Sequence, residues 1–195
     1  MNLVSLSGKI GVGKTAVSNI LLELIPGSVR IAFGDPLKRE CCKTYGFPLE
    51  LCYSESGKKT TVFLGEIGIK LLGADCLTVR EVLQKHGAMR REQDTDYWVK
   101  QMREALKRAS ICRVPCVIND DCRMENEVDL IREFGGALYR LQPYPGWKPG
   151  KNAEHISETA LDEYDGFDMV FCPEKGMERL QAVAQWIVQN HNQGL

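Results

Sequence analysis

Leu3-Val4-Ser5-Leu6-Ser7-Gly8-Lys9-Ile10-Gly11-Val12-Gly13-Lys14-Thr15 decides how the rest of the chain is read. A short apolar run leads into a glycine-rich turn. Apolar Val17, Ile20, Leu21 and Leu24 then recur at helical spacing until Pro26-Gly27. Residues 8–15 fit the pattern GxxxxGK[ST] without a mismatch. The glycines let the backbone curl so that amide N–H groups face a β-phosphate, at the positive end of the following helix. In such a loop Lys14 bridges the β- and γ-phosphates and the Thr15 hydroxyl takes a place on Mg²⁺. Gly11, Val12, Gly13, Lys14 and Thr15 are therefore the candidate ATP-binding residues, with ATP and Mg²⁺ as cofactors. The strand before the loop and the helix after it separate this reading from a chance match.

Working outward, the pattern predicts a second strand over 29–33, then a short helix opened by Asp35-Pro36 with Pro at its first position. Residues 46–73 read as an irregular insertion. Helical patterns follow over 78–86 and 94–109, the second placing Trp98, Met102 and Leu106 on one face. Further strands are predicted over 115–119, 137–141 and 169–172, and helices over 125–134 and 177–189. Strands separated by helices give an α/β fold, a five-stranded parallel sheet with helices on both faces. Residues 8–15, 34–35, 120–123, 142–143 and 173–176 each follow a strand. All five would line the carboxyl edge of the sheet, where such folds bind ligands.

Composition narrows the class. The 195 residues suit one domain, and 44% hydrophobic with 26% charged residues is neither disordered nor membrane-spanning. A net charge of -1 gives no footing for nucleic acid, and neither a membrane segment nor a typical secretory signal is expected. The 8 cysteines form no paired CxxC motifs, so they read as reduced thiols of a cytoplasmic protein, without a structural metal. No NKxD-type guanine loop is present, and the short chain leaves little room for motor machinery. A small-molecule kinase is favoured on those grounds.

The run Val117-Ile118-Asn119-Asp120-Asp121-Cys122-Arg123-Met124-Glu125-Asn126-Glu127 passes from a strand into a helix. Acidic residues there can hold Mg²⁺ through water, and Arg123 can grip a phosphate with two parallel N–H groups. The alternative is a helix cap by Asp121 beside an exposed arginine.

With these residues in place, the chain resembles the bacteriophage-type deoxynucleoside monophosphate kinases, relatives of adenylate kinase. The family pattern D-x-R-F-x-N-E is met by Asp121, Arg123, Asn126 and Glu127, with Met124 where Phe is usual. Leu83-Gln84-Lys85-His86-Gly87-Ala88 is similar to its L-Q-x-x-G-T, with Ala88 in place of Thr, and Asp96-Tyr97-Trp98 to its D-x-W. Phe33-Gly34-Asp35-Pro36-Leu37-Lys38, Gly57-Lys58-Lys59 and His155-Ile156-Ser157-Glu158 complete the likeness, which keeps its order over most of the chain.

The resemblance implies a single kinase domain over 1–195, with an acceptor-binding insertion at about 36–110 and a short lid at about 143–158. It places Asp35, Lys58, Lys59, Gln84, Gly87, Trp98, Asp121, Arg123 and Glu127 around the acceptor nucleotide, joined by Lys38 and Arg90. Trp98 would offer a surface for the base, or else belong to the core. In the lid, Lys148 and Lys151 would screen the γ-phosphate, and Lys175-Gly176 would sit against the donor base. Lys14, Arg123 and Asp121 are then the catalytic set, with Thr15 and Asp121 on the metal. Nucleotides are the expected partners, a homodimer is left open, and a phage-type enzyme would work in the host cytoplasm. Two rivals stand beside this reading: a P-loop kinase acting on an alcohol or phosphomevalonate, and a regulator that holds ATP without turnover. An alcohol acceptor would need Asp35 or Asp121 as a base.

Overall fold

The computed structural model describes residues 1–149 and 154–191. The chain opens with β1 (Asn2–Ser7), α1 (Lys14–Leu24) and β2 (Val29–Arg30). It continues through α2 (Gly34–Tyr45), a 3-10 turn (Leu49–Cys52), α3 (Glu55–Lys58), β3 (Thr61–Phe63), α4 (Gly65–Leu72), β4 (Cys76–Thr78), α5 (Val79–Gln93) and α6 (Tyr97–Ile111). The last part runs β5 (Cys116–Asn119), α7 (Glu125–Glu133), β6 (Ala137–Leu141), α8 (Ile156–Thr159), β7 (Met169–Phe171) and α9 (Met177–His191). Two compact units emerge, one of Met1–Ala32 with Arg103–Leu195, the other of Phe33–Met102.

The first unit is built on a sheet of order β2-β5-β1-β6-β7, with every adjacent pair parallel. Parallel strands covered on both faces need apolar side chains on both. β6 shows how this is met: Tyr139 and Leu141 pack with Val17, Leu21, Ala184 and Ile187 of α1 and α9. Leu138, one residue out of phase, packs with Val128 of α7 and with Leu161. Each fully buried Leu or Ile contributes roughly 1.5–3 kcal/mol. The turn from α7 into β6 needs Gly136, because a Cβ there would lie 2.8 Å from both Ile131 and Leu3. The five-stranded parallel sheet with helices on both faces is the one the sequence predicts.

β2 is shorter than the pattern over 29–33 implies. Ile31 still donates to the Ile118 carbonyl at 3.1 Å, but Phe33 is already helical at φ -59, ψ -32 and α2 starts at Gly34. Pro36 thus stands third in a 12-residue helix, not first, and still loses nothing, since the opening N–H groups of a helix have no internal partner.

The second unit corrects the expectation of an irregular insertion. β3 and β4 pair antiparallel, Thr61 opposite Thr78 and Phe63 opposite Cys76, with α4 between them. Its core gathers Cys41, Tyr45, Phe47, Cys52, Val62, Leu64, Leu72, Val79 and Val82. α5 begins with a capping box in which Glu81 accepts from the Thr78 N–H at 2.8 Å and Thr78 accepts from the Glu81 N–H at 3.3 Å. It runs to Gln93, beyond the predicted end at 86, with Gly87 inside it, where a Cβ would meet Leu37 of α2 at 3.2 Å. Among the described residues no helix is long and apolar enough to cross a membrane.

Candidate active site

The phosphate loop lies between β1 and α1. Gly8 has φ +138, and a Cβ on it would be 2.3 Å from the Leu141 carbonyl oxygen, so no other residue fits. Gly13, at φ 103, stands at the N-cap of α1 with no side chain to cap it, leaving the helix start to an anion. Lys14 Nζ donates to the Gly8 and Lys9 carbonyls, each at 2.7 Å. Burial above all, then the nearby Arg123 guanidinium, pull this ammonium from 10.5 down to about 8, while Glu158, Asp120 and Asp121 act the other way. A phosphate arriving here adds negative charge and restores the cation.

β5 delivers the carboxylates. Asn119, its last residue, accepts from Ser5 Oγ at 2.8 Å and donates to the Ile31 carbonyl at 3.1 Å and to Asp121 Oδ1 at 2.9 Å. Asp120 is 3% exposed and its Oδ2 accepts from the Thr15 hydroxyl at 3.1 Å. Its Oδ1 lies 2.6 Å from Arg30 Nη2, a charge pair without hydrogen-bond alignment. The carboxylate facing Thr15 is therefore Asp120, whereas the resemblance places Asp121 with Thr15 on the metal. The D-x-R register drew attention to Asp121; the signal for its neighbour was its place immediately after the strand. Among the described residues no group of three or more His, Cys, Asp or Glu could hold a metal alone. A hydroxyl beside one buried carboxylate is what Mg²⁺ uses when phosphates and water complete its shell, so Thr15 and Asp120 fit that ion.

Arg123 follows, its Nη1 donating to the Ser157 carbonyl at 3.0 Å and to Glu158 Oε1. Glu127, expected on the acceptor, is 2% exposed and instead accepts from the N–H groups of Arg123 at 2.7 Å and Met124 at 3.2 Å, closing the start of α7. Two residues of the expected lid, neither singled out within it, touch the loop at Ile10. Trp147 Nε1 donates to its carbonyl at 3.1 Å, and Glu158 Oε2 accepts from its N–H at 2.8 Å. His155 caps α8, accepting from the Ser157 N–H at 3.2 Å. Lys148 is exposed, and Lys151 lies outside the described residues. Lys175 Nζ stands 5.9 Å from the Tyr144 ring centre, and Gly176 has open space around it. Beside them a shallow groove of about 330 Å³ is lined by Phe171, Cys172, Pro173, Glu174, Arg179 and Val183.

In the second unit, Asp35 and Lys38 pair at 2.9 Å and Lys38 lies over the Tyr53 ring at 4.5 Å. Lys58 is 3.5 Å from Glu55, which also takes Arg80 at 2.7 Å, and burial lowers the Lys58 ammonium against the pull of Glu55. Lys59 is exposed and Gln84 half-buried. Arg90 is tied to Glu40 through Nε at 2.6 Å and packs over Tyr97. Glu40 also bonds His86 at 3.0 Å and the Tyr97 hydroxyl at 2.9 Å. Burial pushes that carboxyl up, but these hydrogen bonds together hold it below its ordinary range. Trp98 is 2% exposed with Nε1 donating to the Gly87 carbonyl at 3.3 Å. It is a core residue, not a stacking surface, and Gly87 is buried beside Leu37.

No protein-family model matches the chain. It is 27% identical over 202 residues, 99% of each chain, to a protein of Acanthamoeba polyphaga mimivirus provisionally named deoxynucleotide monophosphate kinase. It superposes on the unliganded crystal structure of a sugar kinase from Janibacter sp. HTCC2649 with a TM-score of 0.50. That match covers 97% of this chain and 95% of the other at 12% identity, a likeness of fold alone. In this chain the phosphate loop stands at the carboxyl edge of a five-stranded parallel sheet, and the likeness to the solved structure is one of this α/β fold.

Proposed function

We propose that the chain is an ATP- and Mg²⁺-dependent kinase that converts deoxynucleoside monophosphates to diphosphates. The observation that carries this reading is a second cation beside the phosphate loop: Glu158, which accepts from the Ile10 N–H, also takes Arg123, while Asp120 faces Thr15. One cation serves the donor phosphates and the other the acceptor phosphate. The full-length likeness to a protein named for deoxynucleotide monophosphates supports the substrate class. Lys14 and the loop amides bind the β- and γ-phosphates, and Thr15 and Asp120 are the side chains available to Mg²⁺, which neutralises charge on those phosphates. In the unit 33–102, Asp35, Lys38, Lys58, Lys59, Gln84 and Arg90 are the residues proposed to receive the acceptor.

A phosphate monoester is ionised near neutral pH, its second pKa being ~6. The acceptor oxygen then needs no protein base, and the chain's work is alignment and charge neutralisation. Asp35 tests this directly, since it already holds Lys38. Asp35→Asn keeps size and hydrogen bonding but removes basicity. At saturating acceptor, the single-turnover rate should fall only severalfold while the acceptor KM changes more. A collapse of that rate by ~10²–10⁴-fold, the worth of a general base, would mean an alcohol acceptor instead.

A further inference from the structure

Glu158 is a charged residue beside the phosphate loop whose side chain is only 3% exposed. One carboxylate oxygen accepts from the Ile10 N–H of the loop at 2.8 Å, and the other takes Arg123 Nη1. The backbone is pinned as well, because Lys9 Nζ donates to the Glu158 carbonyl at 2.7 Å and to Asp162 at 2.5 Å. Arg140 holds the same Asp162 at 2.7 Å. A carboxylate buried this far is costly unless every interaction is met, and here each oxygen has a donor.

The Arg123 contacts use Nη1 alone, for Ser157 and for Glu158. Among the described residues this leaves the Nε and Nη2 edge, the pair of N–H groups that fits two oxygens of a phosphate. Glu158 thus restrains the guanidinium by one nitrogen and ties it to the loop without consuming the edge that recognises an anion. We propose that Glu158 is a positioning residue that couples Arg123 to Ile10 of the phosphate loop, so that one rigid unit grips the acceptor phosphate. This rests on the acceptor role given to Arg123 above. It also accounts for a carboxylate among phosphate-binding cations, where a free negative charge would only repel the substrate.

The test is a double-mutant cycle with Glu158→Gln and Arg123→Lys, read as acceptor kcat/KM at saturating ATP. Glutamine keeps the shape and still accepts from Ile10 but loses the charge that holds Arg123. E158Q should lower acceptor kcat/KM by about 10–100-fold in the native background and less than twofold beside R123K, because both variants remove one coupled interaction. ATP affinity should stay within about twofold in each. A structural role alone predicts equal losses in both backgrounds, and that outcome, or no loss at all, overturns the proposal. A rise in activity also overturns it, showing that Glu158 blocks the site. If E158Q does not fold, Glu158→Asp, which keeps the charge and shortens the reach, is put through the same cycle with the same criterion. A native chain that turns over no deoxynucleoside monophosphate refutes the functional reading, and this proposal with it. Turnover with additive losses refutes this proposal alone.

Discussion

Lys14, the residue proposed to bind phosphate, taxes the fold that carries it. It is 8% exposed, and burial with Arg123 lowers its ammonium from 10.5 to about 8. Between those values the unfolded chain binds more protons than the folded one, so this cost is full below pH 8 and fades as pH rises towards 10.5. Lys14→Met, which keeps volume without charge, should therefore raise Tm at pH 7, with a gain that shrinks by pH 10. It should also reduce phosphoryl transfer more than about 100-fold, or ~2.7 kcal/mol of barrier. Transfer within tenfold of the native chain would contradict the phosphate-loop assignment. Asp120 and Asp121 allow a second test at this scale. Asp120→Asn should raise the Mg²⁺ needed for half-maximal rate at least about tenfold, since its carboxylate faces Thr15. Asp121→Asn should move it less, because Asp121 is held by Asn119; a Mg²⁺ titration that ranks them the other way restores the register expected from D-x-R.

At the scale of elements, the sequence was legible where one local rule dominates. The strand at 137–141 and the strand-loop-helix at 3–24 follow from apolar pattern and glycine placement. Residues 46–73 were not, because α3 has 4 residues and β3 has 3, too few for any period to show. What holds them is tertiary: the core around Cys52, Val62 and Leu72, and close approaches at small residues. Gly68 in α4 is such a residue. A Cβ there would lie 2.3 Å from Leu64 Cβ and 2.6 Å from the Ala74 carbonyl oxygen. Alanine gains about 1 kcal/mol of helix propensity over glycine, but overpacking against backbone costs about 1–3 kcal/mol. Gly68→Ala should lower Tm by several degrees. Gly73→Asn, at a left-handed cap with open space around it, should change it little. Equal effects in thermal melts would mean that α4 is not packed as described. The same limit explains Trp98 and Glu127: the family resemblance placed both at the acceptor, whereas burial, which no motif reveals, makes Trp98 a core residue and leaves Glu127 2% exposed at the start of α7.

Over the whole molecule, the cysteines report how the chain is packed. Cys76, Cys112 and Cys172 are exposed, and Cys41, Cys52, Cys116 and Cys122 are buried. Burial pushes the Cys42 thiol up to about 12 and Cys116 to about 11, and raises Cys41, Cys52 and Cys122 as well. Brief alkylation at pH 8, read by mass spectrometry, should label Cys76, Cys112 and Cys172 and spare the rest until denaturant is added. Cys172 lines the groove beside Pro173 and Glu174, so ATP should slow its labelling and leave Cys76 and Cys112 unchanged. Rapid labelling of Cys42 would contradict its raised pKa. The central claim is the transfer itself. Release of ADP from MgATP should be measured against the four deoxynucleoside monophosphates, and against sugars and other alcohols at equal concentration. The account predicts turnover above about 1 s⁻¹, typical of kinases, with at least one deoxynucleoside monophosphate, matched by formation of its diphosphate and lost in the Lys14 variant. Turnover confined to an alcohol, or ATP bound with no acceptor-dependent ADP, would contradict it.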